Sequence, residues 1–172
     1  TVRQTVEYAR SIEKQHNKHF RFTITTNGVG LNDENIDYIN REMGNCVLSL
    51  DGRPEVNDKN RITPSGGGSY DIILPKFKKL LQSRGKDKDY YVRGTFTRDN
   101  LDFAEDVLHI ADQGFDSISV EPVVSEPGTS YSLREEDLPR IFAEYERLAE
   151  QMLKRHDFNF FHFNVDLSQG PC

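Results

Sequence analysis

Polar side chains stand at the ends of several predicted strands, where they could bind a charged ligand. The central stretch is residues 47–52, in which three apolar residues and a serine lead into Asp51 and a glycine. The other strand ends contribute hydroxyl, amide, guanidinium and carboxylate groups: Thr26, Asn27, Arg93 and Glu121. In parallel α/β folds, ligands bind at the carboxyl ends of the strands. The sequence therefore predicts that these strand ends converge on one site.

The chemistry of this residue set favours a ligand that carries a carboxylate together with hydroxyl or ammonium groups. Arginine binds carboxylates through two parallel hydrogen bonds, which suits Arg93. Ser49, Asn27 and Asp51 carry the donors and acceptors that suit ribose hydroxyls or an ammonium. A structural alternative is that Asp51 and Arg93 form a buried ion pair while Ser49 caps the following loop. A second alternative is that Asp51 only anchors the loop at residues 53–69 through Arg61. No serine, histidine and aspartate order and no pair of catalytic carboxylates stands out in the sequence.

Hydrophobic patterns place these residues in a repeated strand and helix arrangement. Strands are predicted to begin near residues 20, 46, 90, 116 and 158, with amphipathic helices between them. This alternation predicts an α/β fold with a parallel sheet and right-handed crossovers, although an open flavodoxin-like sheet would also satisfy it. Residues 158–166 are predicted to form the last strand. His162 would then share a face with Phe158 and Phe160 as a hydrogen-bonded core histidine.

Glycine and proline mark the boundaries between these elements. Residues 53–69 contain two prolines and three consecutive glycines, and we predict a long connector or lid there. The glycines do not match a phosphate-binding loop, because no lysine followed by serine or threonine comes after them. Gly44 is predicted to end the helix before the central strand. Pro75 predicts that the next regular helix begins near Leu74.

Composition limits the classes of partner. The net charge of −6, with acidic and basic residues interspersed, argues against a nucleic-acid partner. No apolar run approaches the roughly 20 residues that span a bilayer, so we expect no membrane partner. Only two cysteines occur, Cys46 and Cys172, which excludes a disulfide framework and favours a reduced, cytoplasmic compartment. The helical pattern already present at Thr1 leads us to expect that the natural chain starts upstream.

Four motifs in order resemble the radical S-adenosylmethionine enzymes, specifically the peptide-modifying branch with a C-terminal SPASM region. They are residues 25–28, residues 48–52 with the trailing Asp58 and Arg61, residues 93–97, and residues 121–124. Within the family, the likeness is to maturases that form thioether cross-links in a cysteine-rich precursor peptide with six cysteines in forty-five residues. Anaerobic sulfatase-maturating enzymes look similar. The resemblance implies part of a partial (β/α) barrel over residues 1–166 and the start of the SPASM region at 167–172.

The resemblance also implies a cofactor and its contacts. S-adenosylmethionine would meet Ser49 at its ribose or methionine end, Arg93 at its carboxylate, and the backbone near Val123 at its adenine. Asn27 is expected to help bind the same cofactor. Asp51, nearer the rim, is expected to shape the loop or to meet the substrate peptide.

The resemblance further implies iron–sulfur clusters. The CxxxCxxC loop that holds the reactive 4Fe–4S cluster is absent from the sequence, and so is the motif that holds the methionine amino group. Cys172 matches a ligand of an auxiliary cluster. We therefore expect part of a longer oxidoreductase, inactive by itself, whose parent would generate a 5′-deoxyadenosyl radical. The competing hypothesis is a non-catalytic βα domain that binds a metabolite.

Overall fold

The computed structural model describes residues 1–126 and 128–164. The strands of this described part form a sheet in the order β1-β2-β3-β4-β5, and the three pairings β1/β2, β3/β4 and β4/β5 are parallel. The strands are β1 Phe22–Thr26, β2 Met43–Ser49, β3 Asp89–Phe96, β4 Ser117–Pro122 and β5 Asn159–Phe160. The helices are α1 Val2–His16, α2 Asp33–Glu42, α3 Pro54–Asn60, α4 Tyr70–Gln82, α5 Phe103–Asp112 and α6 Leu138–Lys154.

The chain divides into two compact units. Unit one comprises residues 1–48 and 72–90, and unit two comprises residues 49–71 and 91–172. In unit one, β1 and β2 pair so that Ile24 lies beside Cys46. The α2 helix begins after Asn32, whose side-chain oxygen accepts from the free backbone N–H of Asn35. The buried side chains of unit one come from α2, β2 and α4. They include Ile36, Ile39, Cys46, Leu48, Ile73 and Phe77.

Unit two places an apolar core on one face of its strands and polar side chains on the other. Val92 and Phe96 alternate with Arg93 and Thr95 along β3, and only the first pair is fully buried. Phe96 stacks on Phe103 of α5 with 4.2 Å between ring centroids. The rest of this core comes mainly from α5, β4, α6 and β5: Ala104, Val107, Ile110, Ile118, Val120, Leu148 and Phe160. The opposite face therefore carries the polar side chains that could contact a ligand.

Several predicted boundaries were wrong, and a tertiary contact explains one of them. Residues 53–69 are not a single loop, because α3 forms there with Pro54 in its first turn. Helix α4 begins at Tyr70, not near Leu74, and Pro75 lies inside it. Its start is set by Asp58, whose Oδ1 accepts from the backbone N–H groups of Ser69 and Tyr70 at 2.9 and 2.8 Å. Gly44 lies inside β2, since α2 already ends at Glu42.

The last predicted strand is also shorter than expected. β5 contains only Asn159 and Phe160, and residues 161–163 form a 3-10 turn. This turn breaks the two-residue alternation that would place His162 on the face of Phe158 and Phe160. Those two phenylalanines are buried, whereas the His162 side chain keeps 22% of its surface exposed. No helix in the described part of the chain is long and apolar enough to cross a bilayer.

Candidate functional site

The end of β2 shows the alternation that the sequence predicts. Leu48 and Leu50 are completely buried, whereas Ser49 between them is half-buried. In an extended strand, Ser49 and Asp51 therefore lie on the side opposite the two leucines. Among the described residues, the Ser49 hydroxyl has no hydrogen-bond partner, so it is available to a ligand. Its contact with a cofactor stays a prediction.

Asp51 is held from two directions within unit two. Its oxygens accept from Nε and Nη2 of Arg61 at 2.8 and 2.7 Å, and Oδ1 also accepts from the backbone N–H of Thr95 at 2.9 Å. Only 4% of Asp51 is exposed. The partner of Asp51 is thus Arg61, not Arg93, and the carboxylate ties the start of the loop to β3. A contact between Asp51 and a substrate peptide stays a prediction.

The spacing of Asp58 and Arg61 has a structural explanation. Asp58 lies near the end of α3, and Arg61 directly follows that helix. Asp58 caps the start of α4, whereas Arg61 neutralises Asp51. Gly68 must lack a side chain, because a Cβ there would come within 2.0 Å of Asp58. The trailing motif after residue 52 therefore stabilises the strand end that carries Ser49.

Arg93 is the exposed cation on the polar face of unit two. It lies beside Ser119 in the β3/β4 register, and the backbone N–H of Leu50 donates to its carbonyl at 3.0 Å. Its side chain is exposed, and no hydrogen bond or ion pair to it is found among the described residues. An unpaired guanidinium in this position can bind a carboxylate with two hydrogen bonds.

Glu121 lies on the same face and belongs to a hydrogen-bonded network that the sequence did not predict. The Ser119 hydroxyl donates to Oε1 at 2.5 Å, and Nε2 of His162 lies 2.8 Å from Oε2. Nδ1 of His162 lies 2.9 Å from the Tyr145 hydroxyl. Burial acts to raise the pKa of Glu121, but the hydrogen bonds from Ser119 and His162, with the charges of His162 and Arg93, hold it below its usual range.

This lowered pKa predicts a contribution to stability that depends on pH. The ionised form of Glu121 is favoured in the folded chain, so its contribution is complete above the ordinary value of 4.5 and is lost as the pH falls through the lower, folded value. We expect the melting temperature to fall more on acidification in the wild type than in Glu121→Gln. Thermal unfolding followed by circular dichroism between neutral and acid pH measures this. An equal fall in melting temperature on acidification in the two proteins would contradict the prediction.

A cavity of about 310 Å³ opens at the strand ends of unit two. Its walls include Asp51, Arg61, Thr95, Thr97, Val123 and Tyr131. Two of the predicted site residues, Asp51 and Val123, therefore line it, while Ser49 and Arg93 are not among its lining residues. The Val123 backbone N–H is already used, since it donates to the Phe96 carbonyl at 2.9 Å. Thr95 and Thr97 were not predicted as site residues. They follow Arg93 at intervals of two residues, which in a strand places all three on one face.

Two further predicted site residues are Asn27 and Cys172. Asn27 belongs to unit one and is exposed just after β1, where its side-chain oxygen accepts from the backbone N–H of Val29 at 3.3 Å. Cys172 lies outside the described residues. Cys46 is buried in unit one, and burial raises the pKa of its thiol to about 11 against the opposing charge of Arg84. Among the described residues, no group of three or more potential ligands could hold a metal ion.

Comparison with known proteins finds likeness only at the level of structure. No family model and no curated protein matches the sequence. The fold of anSMEcpe, solved with bound AdoMet and the Kp18Cys peptide, matches with a TM-score of 0.75 at 16% identity, over 94% of this chain and 46% of that chain. SuiB from Streptococcus suis, bound to S-adenosylmethionine, matches with a TM-score of 0.58 at 16% identity, over 90% and 35% of the two chains.

A third structure matches over most of both chains. A domain of the pyruvate-formate lyase-activating enzyme from Bacteroides vulgatus gives a TM-score of 0.52 at 11% identity and covers 84% of each chain. The present chain spans less than half the length of anSMEcpe and SuiB. Together these likenesses confirm the predicted fold class, α/β with a parallel sheet, as the fold that this chain shares with those proteins.

Proposed function

We propose that this chain is part of a radical S-adenosylmethionine enzyme that modifies a peptide, and that unit two supplies one side of the cofactor site. The observation that carries the proposal is the exposed guanidinium of Arg93, which makes no hydrogen bond or ion pair with the described residues, on the polar face of a parallel sheet. The fold likeness to anSMEcpe and SuiB, both solved with the same cofactor bound, supports it. A cytoplasmic location belongs to the proposal, because free thiols persist in a reducing compartment.

The donor set fits the proposed cofactor. Arg93 would bind its carboxylate, the free Ser49 hydroxyl would bind its ribose or methionine end, and the backbone at Val123 would border its adenine. Ser49 and Arg93 stand on backbone segments that the Leu50 to Arg93 hydrogen bond joins. Asp51, which pairs with Arg61, also accepts a hydrogen bond from the backbone N–H of Thr95. This contact would hold the two segments together. The role of Asn27 is proposed separately, from the sequence resemblance alone.

The proposed substrate is a peptide. One neighbour, anSMEcpe, was solved with a peptide bound, which supports this class of partner. The cavity beside Asp51 and Tyr131 offers a place for a peptide side chain near the cofactor. We propose thioether cross-linking of a cysteine-rich precursor as the reaction of the parent protein, and an oxidation of the sulfatase-maturating type as the alternative. The product formed from each peptide, identified by mass spectrometry, separates the two.

The residues present do not fit a 4Fe–4S cluster. Such a cluster needs three or four cysteine thiolates, and this sequence has two cysteines. Cys46 is buried with a raised pKa, so it is poorly suited to supply a thiolate. The reactive cluster of the parent must therefore be held by residues outside this chain, and Cys172 is proposed as a ligand of an auxiliary cluster. When bound, the cofactor would supply the hydrogen-removing chemistry of the parent, and Arg93 and Ser49 would hold it.

We predict that the chain by itself forms no stoichiometric cluster and does not cleave S-adenosylmethionine. After incubation with iron and sulfide, the visible absorption should show no stable cluster band, and a reductant should release no 5′-deoxyadenosine. The longer protein encoded by the same gene, treated in parallel, is the positive control. Cluster formation and cofactor cleavage by the 172 residues alone would overturn the assignment as an incomplete enzyme. A longer protein without CxxxCxxC and without cleavage would favour the metabolite-binding alternative.

A further inference from the structure

Tyr145, His162 and Glu121 form a relay of hydrogen bonds within unit two. The Tyr145 hydroxyl lies 2.9 Å from Nδ1 of His162, and Nε2 of His162 lies 2.8 Å from Oε2 of Glu121. The other carboxylate oxygen accepts from the Ser119 hydroxyl. The relay joins α6, the 3-10 turn after β5, and β4. Neither the predicted cofactor contacts nor the cavity uses it.

The chemistry of the groups determines where the protons lie. An ionised carboxylate only accepts hydrogen bonds, so Nε2 of His162 must carry the proton that faces Glu121. The tautomer with its single proton on Nε2 presents a lone pair at Nδ1. The Tyr145 phenol therefore donates its proton to Nδ1. The result is a phenol that points its proton at a base, and a carboxylate that stabilises this base once it is charged.

The surroundings of Tyr145 are largely aromatic and keep its phenol protonated. Its ring packs against Phe103, Phe160 and Phe163, with centroids 4.9, 6.3 and 6.2 Å away. Burial, and then the charge of Glu121, raises the pKa of Tyr145, so the phenol stays protonated. A tyrosine that loses an electron becomes a strong acid, and it gives up the electron readily only where its proton can leave at once. His162 supplies that acceptor.

We propose that Tyr145 is a redox-active tyrosine whose oxidation is coupled to proton transfer to His162. One electron passes from Tyr145 to a one-electron oxidant, such as an organic radical or a metal complex. The phenolic proton moves to Nδ1 and leaves a neutral tyrosyl radical. The imidazolium formed is held by Glu121. When a reductant returns the electron, the proton returns to the phenol. This proposal rests on the described residues and does not depend on the proposed function.

A second tyrosine in the same unit provides an internal comparison. The Tyr70 hydroxyl lies 2.6 Å from Nε2 of His109, so it also has an imidazole partner. In the described part of the chain, however, no carboxylate forms an ion pair with His109. Tyr70 therefore lacks the group that would stabilise the imidazolium. We expect Tyr145, not Tyr70, to carry the persistent radical among the seven tyrosines of the chain.

Flash oxidation of the 172-residue chain tests the proposal. A photogenerated ruthenium(III) complex serves as oxidant, and the tyrosyl radical is followed by transient absorption and by electron paramagnetic resonance. Tyr145→Phe, which removes only the hydroxyl, should lose most of the persistent signal. Tyr70→Phe and the exposed-ring control Tyr8→Phe should retain it. A signal that survives Tyr145→Phe, or that disappears in Tyr8→Phe or Tyr70→Phe instead, would overturn the proposal.

The proton acceptor is tested with Tyr145 left in place. His162→Phe keeps an aromatic ring but removes the acceptor, and Glu121→Gln keeps the shape but removes the charge. In each, the yield of the radical should fall at least about tenfold, the lower end of the range expected for one hydrogen bond to a charged group. The wild-type oxidation rate should also fall in D₂O. Circular dichroism establishes that each variant is folded, and Glu121→Gln decides the case if His162→Phe is not. Wild-type yields in a folded variant would contradict the relay.

Discussion

Replacing Arg93 with alanine should weaken binding of S-adenosylmethionine about ten- to a hundredfold while leaving the fold intact. The lost contact is a charge-assisted hydrogen bond, worth about 1.5–3 kcal/mol. Because the Arg93 side chain is exposed and has no partner among the described residues, its removal should cost the fold little. The affinity of Arg93→Lys for the cofactor should lie between those of the wild type and Arg93→Ala. Lysine keeps the charge but cannot form the two parallel hydrogen bonds. Calorimetric titration of the proposed parent protein, with its cluster in place, measures the affinity.

The control for this experiment is Arg140→Ala. Arg140 is an exposed arginine on α6 of the same unit, so it changes the net charge equally but lies off the strand face. If both variants bind the cofactor as the wild type does, Arg93 is not the carboxylate ligand. If both lose affinity equally, the effect is one of overall charge. Only a loss confined to Arg93 supports the assignment.

Replacing Arg53 with alanine should lower the free energy of unfolding by about 3–5 kcal/mol, because it leaves a buried carboxylate without its counter-charge. Asp106 is completely buried, and its oxygens accept from Nε and the backbone N–H of Arg53 at 2.8 and 3.0 Å. Asn100 donates a further bond at 3.1 Å. Gly52 fits only because it has no side chain, since a Cβ would meet Asp106 at 2.3 Å. Urea unfolding measures the change.

A surface ion pair and a double replacement make this test specific. Arg155 pairs with Asp112 and Asp157, both well exposed, so Arg155→Ala should cost no more than about 1 kcal/mol. Replacing the buried pair together, as Arg53→Met with Asp106→Leu, should recover part of the loss, because no uncompensated charge remains. Equal losses for Arg53→Ala and Arg155→Ala would show that burial of Asp106 does not control the cost.

The sequence was sufficient to predict the order of the five strands and the two faces of β2, although it did not predict helix α3. Local patterns carry this information, since side chains repeat every two residues in a strand and every 3.6 in a helix. The placement of Ser49 opposite Leu48 and Leu50 follows from that alternation alone. The parallel sheet follows as well, because strands that alternate with helices pair in parallel.

The tertiary structure alone decided which charged groups meet. The sequence allowed Asp51 to pair with either Arg93 or Arg61. Only the path of the chain through α3 brings Arg61 to Asp51. The relay from Tyr145 to Glu121 forms because the chain leaves β5 after two residues and turns, which no periodic pattern predicts. The start of α4 depends likewise on Asp58, 12 residues before Tyr70. Contacts of this kind join residues far apart in sequence, so their geometry is not encoded in any local pattern.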